Sequence, residues 1–164
     1  MSKPLGIGFI GSGFNARFHL QAFVGVRDAD IRGVWSPTRK HAEEAARLAR
    51  SLDVGPDAKA YRSIADMVAD PTVDAVWLCG PNHARIENVE EVTDTVLLGR
   101  GALRGIACEK PLARNVAEAK SVIRMVRAAG LRHGYLENQV FAPQVARGRE
   151  LLWARGAATT GRPY

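Results

Sequence analysis

Apolar and polar residues alternate along this chain with two different periods. Some short runs are almost continuously apolar, which is typical of buried strands. Between them, apolar residues return every three or four positions, which is typical of helices packed on one face. The runs predicted as strands are 5–10, 30–35, 58–61, 73–79, 105–108 and 132–137. The segments predicted as helices are 15–24, 38–51, 64–68, 85–98, 116–129 and 143–155.

The regular alternation of strand and helix predicts the fold class. Continuously apolar strands are typical of a parallel sheet whose crossover helices cover both faces. We therefore predict an α/β fold: a doubly wound, mostly parallel sheet with helices on both faces. In the first helix, Phe14, Phe18 and Ala22 share one side and are expected to form its apolar face, with Phe23 as a further candidate. Before the fifth helix, Asn115 followed by Glu118 predicts an N-cap.

A glycine-rich turn follows the first predicted strand and opens the first predicted helix. Its sequence, Gly11-Ser12-Gly13-Phe14-Asn15-Ala16, has the spacing GxGxxA. In that pattern the first glycine permits a tight turn, the second lets the backbone approach a pyrophosphate, and the small third residue allows helix and strand to pack. The helix N-terminus then offers free N–H groups to the phosphates. The turn predicts dinucleotide binding by residues 11–15; the alternative is a purely structural turn.

The end of the second predicted strand bears on the choice of dinucleotide. NAD-binding proteins commonly have an acidic residue here, which binds the adenosine ribose. This chain has Ser36 instead, followed by the cations Arg39 and Lys40. A carboxylate would repel a 2′-phosphate, whereas serine and arginine would bind it. We therefore expect NADP to be favoured over NAD. A compatible alternative is that Ser36 is an N-cap with Pro37 at the first helical position.

Polar residues follow three further predicted strands. Glu109 and Lys110 lie in ACEKPL, Asn82 and His83 in CGPNH, and Asn138 in YLENQ. Ligands of open α/β sheets bind outside the carboxyl ends of the strands, so these side chains are expected to meet in one crevice. A lysine there can donate a hydrogen bond to a carbonyl or alcohol oxygen and stabilise charge as hydride moves.

Composition narrows the function classes. The chain has 164 residues and a net charge of +6, but its basic residues are spread over helix faces, so we expect no nucleic-acid partner. We predict no membrane partner, because no apolar run reaches the length of a membrane span, and no signal peptide. Cys79 and Cys108 are expected to be buried free thiols, which favours a cytoplasmic location. No spacing of Cys and His predicts a metal site.

The motifs together resemble one family. GFIGSGFNARFH, VWSPTRKHAEEAA, CGPNHARIENV, ACEKPLARNVAEA and GYLENQVFAP are similar, in order and spacing, to the N-terminal half of the Gfo/Idh/MocA oxidoreductases. Members of that family use NAD(P) to oxidise or reduce sugars, inositols and related polyols. The resemblance implies that Lys110 is the catalytic lysine, that Glu109 neighbours the nicotinamide ribose, and that Asn138 contacts the cofactor. It also implies that Gly80, Pro81, Asn82 and His83 form the segment beside the nicotinamide.

The resemblance also predicts what this chain lacks. The family has a second α/β domain that carries substrate residues, including a histidine that pairs with the lysine, and that often forms a homo-oligomer interface. We expect residues 1–155 to be the dinucleotide-binding domain and 156–164 to be a linker with the truncated start of that second domain. His83 is a weak candidate for the missing histidine, and His19, His41 and His133 are expected to be structural or exposed. An alternative function is an NAD(P)-binding module without catalytic activity of its own.

Overall fold

The sheet has six strands, all parallel, in the order β3-β2-β1-β4-β5-β6. The computed structural model describes residues 3–156. The strands are β1 Leu5–Ile10, β2 Ala29–Trp35, β3 Lys59–Ala60, β4 Ala75–Leu78, β5 Gly105–Glu109 and β6 Arg132–Leu136. The α-helices are α1 Phe14–Ala22, α2 Arg39–Ser51, α3 Ile64–Ala69, α4 Arg85–Leu97, α5 Val116–Ala128 and α6 Pro143–Leu151.

Two apolar clusters lie on opposite faces of the sheet, as a doubly wound fold requires. Successive residues of a strand point to opposite faces, so the neighbours Phe9 and Ile10 belong to different clusters. The cluster of Phe9 includes residues of α1 and α2, and the cluster of Ile10 includes residues of α3, α4 and α5. The predicted α/β fold with a parallel sheet is therefore confirmed.

Local signals at the helix ends agree with the structure. The side chain of Asn115 accepts a hydrogen bond from the backbone N–H of Glu118 at 3.0 Å, so the predicted cap of α5 is confirmed. Ser63 caps α3 in the same way, at 2.9 Å from the N–H of Asp66. Gly130 follows α5 with φ +66°, a backbone conformation that favours glycine at a helix end.

The predicted apolar face of α1 is wrong, except that its further candidate, Phe23, is buried. Phe14 and Phe18 are 87% and 53% exposed, and Ala22 is exposed as well. The buried residues are Ala16 and Leu20, with Phe23 just beyond the helix end. Because the small Ala16 is the residue that contacts the strand, the buried side of α1 includes the positions four and seven residues after it. The spacing of Phe14 and Phe18 therefore predicted the side of α1 that faces away from the core.

The remaining differences concern element ends. The second helix begins at Arg39 with Thr38 at its N-cap, so Ser36 does not have the alternative capping role. The last α-helix ends at Leu151, and residues Leu152–Gly156 continue as a π-helical turn rather than as α-helix. The predicted linker from 156 onward lies outside the described residues, apart from Gly156 itself. Within residues 3–156, none of the helices combines the length and the apolar character that crossing a membrane requires.

Candidate functional site

A crevice of about 570 Å³ opens where the carboxyl ends of the central strands diverge. In the sheet, β2 and β3 lie on one side of β1, and β4, β5 and β6 lie on its other side. The crevice therefore lies where the strand order reverses. Eight residues predicted from the sequence line it: Gly11, Ser12, Gly13, Phe14, Asn15, Ser36, Gly80 and Pro81. It is also lined by Arg17, Pro37, His41, Glu44 and Cys79.

The two glycines of the turn have different structural roles. Gly11 has φ +113°, and a Cβ atom on it would lie 2.7 Å from the backbone nitrogen of Gly80, so any other residue there would be strained. Gly13 is the N-cap of α1 with an ordinary φ, and a Cβ atom on it would meet nothing within 4 Å. The space above Gly13 is therefore open for a ligand, next to the free N–H groups of the helix N-terminus.

The adenosine side of the crevice connects the ends of β1 and β2. The buried Ser12 donates a hydrogen bond from its hydroxyl to the hydroxyl of Ser36 at 2.9 Å. At the start of α2, Arg39 pairs with Glu43 at 2.8 Å, and both Arg39 and Lys40 are exposed. Two serine hydroxyls and two cations therefore lie at the end of β2, where many NAD-binding proteins have a carboxylate.

An ion pair on this side of the crevice was not predicted from the sequence. Arg17 of α1 lies 3.0 Å from Glu44 of α2, and both line the crevice together with His41. Arg17 comes one helical turn after Gly13, and Glu44 one turn into α2. Their pairing depends on how the two helices pack, so neither helix alone contains a signal for it.

A buried arginine connects the two strand ends that carry the CGPNH and CEKP motifs. Arg85 is 2% exposed, and its guanidinium donates hydrogen bonds to the carbonyl oxygens of Gly80, at 3.0 Å, and of Glu109. These carbonyls belong to the chain segments that leave β4 and end β5. Arg85 therefore fixes the two segments relative to each other. This role was not predicted from the sequence either, although Arg85 stands four residues before Val89, where helical spacing indicates burial.

Glu109 is almost completely buried and is bonded to a histidine of α1. Its Oε1 lies 2.7 Å from Nε2 of His19, and the two side chains are 9% and 18% exposed. The imidazole ring lies 4.4 Å from the Trp77 ring, centroid to centroid. His19, expected to be only structural or exposed, therefore contacts one of the predicted cofactor residues.

The other predicted residues lie at the same edge of the sheet. Lys110 follows Glu109 directly, is exposed, and is joined to Pro111 by a cis peptide bond. Asn82 and His83 form the 3₁₀ turn that precedes α4. Glu109 is paired with Leu136, and Asn138 begins the 3₁₀ turn just after that strand. The three segments are thus neighbours at the carboxyl ends of adjacent strands.

The two cysteines are not activated. Burial raises the pKa of the Cys79 thiol well above its usual range, and the negative charge of Glu109 adds to the effect. Burial also raises the pKa of Cys108 to about 11, partly opposed by the charge of Arg85. Both thiols therefore stay protonated at neutral pH and are poor nucleophiles. Within residues 3–156, no three His, Cys, Asp or Glu side chains come together as a group able to hold a metal ion.

A second hollow, of about 1070 Å³, lies along α6. Its lining is mainly apolar and shares no residue with the crevice at the glycine turn. It has neither a helix N-terminus nor any of the strand-end motifs. The lining residues are Val140, Val145, Ala146, Arg149, Glu150, Trp153 and Ala154. For these reasons, we place the candidate site at the glycine turn.

Known proteins with similar sequences or structures include several dehydrogenases. The levoglucosan dehydrogenase of Pseudarthrobacter phenanthrenivorans is 29% identical over 155 residues, which are 92% of this chain and 37% of the relative. The inositol 2-dehydrogenase of Gluconacetobacter diazotrophicus is 32% identical over 134 residues, which are 78% of this chain and 35% of the relative. The chain thus spans well under half the length of these relatives.

Structural similarity covers nearly the whole chain. The crystal structure of GenD2, from gentamicin A biosynthesis, in complex with NAD matches with a TM-score of 0.77 and 23% identity, over 96% of this chain and 41% of that one. At this identity the match supports the fold alone. The family model described as "Oxidoreductase family, NAD-binding Rossmann fold" matches residues 5–135. Most of the chain, including the glycine turn and the CGPNH and ACEKPL motifs, lies inside that match, and Asn138 lies just beyond its end. The chain therefore belongs to the Gfo/Idh/MocA family of oxidoreductases and is its nicotinamide-dinucleotide-binding Rossmann domain.

Proposed function

We propose that this domain serves an NADP-preferring oxidoreductase that transfers hydride between the nicotinamide and a sugar, an inositol or a related polyol. The observation that carries the proposal is the position of Glu109 and Lys110, at a strand end that Arg85 ties to the segment leaving β4. That position is next to the crevice that begins at the glycine turn. A dinucleotide bound across the crevice would have its reactive end near Lys110.

The residues of the crevice fit such a cofactor. The open space above Gly13 and the N-terminus of α1 would receive the pyrophosphate. Ser36, Arg39 and Lys40 would bind a 2′-phosphate, and this supports NADP over NAD. Asn82, His83 and Asn138 would contact the nicotinamide half. When bound, the nicotinamide supplies the hydride chemistry.

Lys110 would act on the reacting oxygen of the substrate. Its ammonium group is exposed and has no hydrogen-bond partner among residues 3–156, so it is free to donate to a carbonyl or alkoxide oxygen. That contact stabilises the charge that develops as hydride leaves or arrives. The lysine also holds a proton that the oxygen can take during reduction. Selectivity for one sugar or polyol would lie in residues outside this chain.

The cellular setting follows from the same proposal. We propose that residues 1–155 form one dinucleotide-binding unit, that 156–164 leads toward a substrate domain, and that the complete enzyme is cytoplasmic and homo-oligomeric. The two free cysteines support the cytoplasmic location. The fraction of the relatives that this chain spans supports the further substrate domain.

A second candidate is a dinucleotide-binding module without its own catalysis. The observation that favours it is that, among the described residues, no histidine is hydrogen-bonded to Lys110 as an acid–base partner. Two measurements on the purified chain separate the candidates. Titration with NADPH, followed by tryptophan fluorescence, is expected to show binding in both cases. Reduction of NADP by a panel of aldoses, inositols and polyols is expected only from a competent enzyme.

The proposed roles are tested by two matched variants. In a chain that turns over substrate, Lys110→Met is expected to abolish turnover and leave NADPH affinity within about twofold, since the lysine acts on the substrate oxygen. Equal losses of turnover and affinity would make Lys110 a binding residue.

The Arg39→Ala variant is expected to weaken the binding of NADPH about tenfold and the binding of NADH little. Arg47→Ala, on the exposed side of the same helix, is the control. Equal effects of Arg39→Ala on both cofactors would contradict a 2′-phosphate site.

A further inference from the structure

The contact between His19 and Glu109 joins two parts of the site that are distant in sequence. His19 lies on α1, the helix that starts at the glycine turn, and Glu109 is the last residue of β5. The residues are 90 positions apart, and their side chains meet at 2.7 Å. The contact therefore connects the predicted phosphate end of the crevice with the predicted nicotinamide end.

The chemistry of the two groups assigns the donor. An ionised carboxylate can only accept hydrogen bonds, so Nε2 of His19 carries the hydrogen and donates it to Oε1 of Glu109. The imidazole has little freedom to turn, because its ring lies 4.4 Å from that of Trp77. Trp77 is in turn stacked on the buried Phe9, with ring centroids 5.4 Å apart. The donor is thus held by the core of the domain.

The carboxylate keeps one free oxygen. Among residues 3–156, the hydrogen bonds include one to Oε1 of Glu109 and none to Oε2. A carboxylate that is 9% exposed loses much of its hydration, but Oε2 is not among the fully buried side-chain atoms without a partner in the described part of the chain, so a ligand can reach it. A ligand hydroxyl group would provide a partner for Oε2.

We propose that His19 is a positioning residue: through its bond to Oε1, it holds the Glu109 carboxylate so that Oε2 accepts a hydrogen bond from a ribose hydroxyl in the nicotinamide half of the cofactor. This inference rests on the proposed function, since it assumes that a nicotinamide dinucleotide occupies the crevice. It assigns to His19 a part in binding one half of the ligand only. Binding of the adenosine and pyrophosphate groups does not depend on His19.

The test compares a whole cofactor with one lacking the nicotinamide half. Calorimetry on the full chain would measure NADPH against 2′,5′-ADP, and NADH against ADP, because the smaller ligands have no nicotinamide riboside. His19→Leu is expected to weaken NADPH and NADH about tenfold, the loss of one hydrogen bond to a charged group, and to leave both smaller ligands within twofold. His19→Gln, whose amide nitrogen can take the place of Nε2, is expected to restore most of the affinity. His133→Gln, at an exposed position of β6, is the control for an ordinary histidine replacement.

The outcomes are distinct. If His19→Leu weakens the smaller ligands as much as the whole cofactors, His19 acts through the fold of α1, and the inference is wrong. If neither type of ligand loses affinity, the contact has no role in binding. If the unmodified chain binds neither NADPH nor NADH, the proposed function itself fails.

A second variant covers the case in which His19→Leu does not fold. His19→Ala, which removes the donor, and Glu109→Gln, alone and together, would complete a double-mutant cycle on NADPH affinity. The inference predicts that the two changes are not additive, because the histidine acts through the carboxylate. Additive losses would overturn it.

Discussion

Replacement of Arg85 is expected to destabilise the domain strongly and to loosen the site at the same time. The side chain is 2% exposed and donates to the carbonyl oxygens of Gly80 and Glu109. Arg85→Met keeps a similar length and apolar packing but leaves both carbonyls without their donor. Each unsatisfied buried acceptor costs about 1–3 kcal/mol, so the loss from two is about 2–6 kcal/mol.

One effect opposes this loss. Removing a buried guanidinium also removes the cost of its desolvation. That cost is not fully offset in the native domain, since Nε of Arg85 is buried without a partner in the described part of the chain. The expected net destabilisation is therefore in the lower half of the range, about 3 kcal/mol, which corresponds to a fall in melting temperature of about 6–12 °C for a domain of this size.

Urea unfolding of the unmodified chain and of the Arg85→Met variant would measure the difference in the free energy of unfolding. The midpoint is expected to fall with an unchanged m-value, which indicates lost stability rather than a changed native compactness. Arg47→Met, at an exposed position of α2, is the control and is expected to change the free energy of unfolding by less than about 0.5 kcal/mol. If Arg85→Met is no more destabilising than Arg47→Met, then the guanidinium does not hold the two strand ends together.

Two further predictions concern the glycine turn and the edge of the sheet. Gly11→Ala is expected to lower the free energy of unfolding by about 3 kcal/mol, because Gly11 has φ +113° and a methyl group there would clash with the backbone of Gly80. Gly13→Ala is expected to lower the free energy of unfolding by less than about 1 kcal/mol but to weaken NADPH binding, because its methyl group enters the open space above the turn. Equal stability of the Gly11→Ala and Gly13→Ala variants would contradict this difference. Burial alone would raise the pKa of Asp70, but hydrogen bonds, first from Lys59 and then from its other neighbours, hold it well below the usual range. A carboxylate with a lowered pKa stabilises the fold above the unfolded value of about 3.9 and loses this contribution as the pH falls below it. Asp70→Asn is therefore expected to lower the free energy of unfolding by about 2 kcal/mol at pH 6 and much less at pH 2, and a difference that did not shrink with pH would contradict the role of the charge.

The features that could be predicted from the sequence are those that depend on neighbours along the chain. The glycine turn and the Asn115 cap involve residues within a few positions of one another, and the strand pattern reports burial directly. The α/β fold followed from that alternation. The placement of the motifs at one edge of the sheet followed from the rule for parallel strands.

The features that were missed depend on packing between distant segments. The buried side of α1 was predicted from its aromatic residues, but the small size of Ala16 determines which side can approach the strand. Arg85 contacts a carbonyl 24 positions away, and His19 contacts a carboxylate 90 positions away. Helical spacing can indicate that a residue such as Arg85 is buried, but a single sequence contains no signal for which distant residue it contacts.

The central position of β1 has a consequence for how the domain folds. Its neighbours are β2 and β4, which begin 24 and 70 residues after it does at Ala29 and Ala75. All five pairings of the sheet are parallel, so no hairpin can form early as a local nucleus. Each pairing requires the closure of a long loop, which slows folding. During synthesis, β1 leaves the ribosome before β2 and β4, so it must wait for β4 before both of its edges are covered. The crevice at the glycine turn is complete only when β4 has paired with β1.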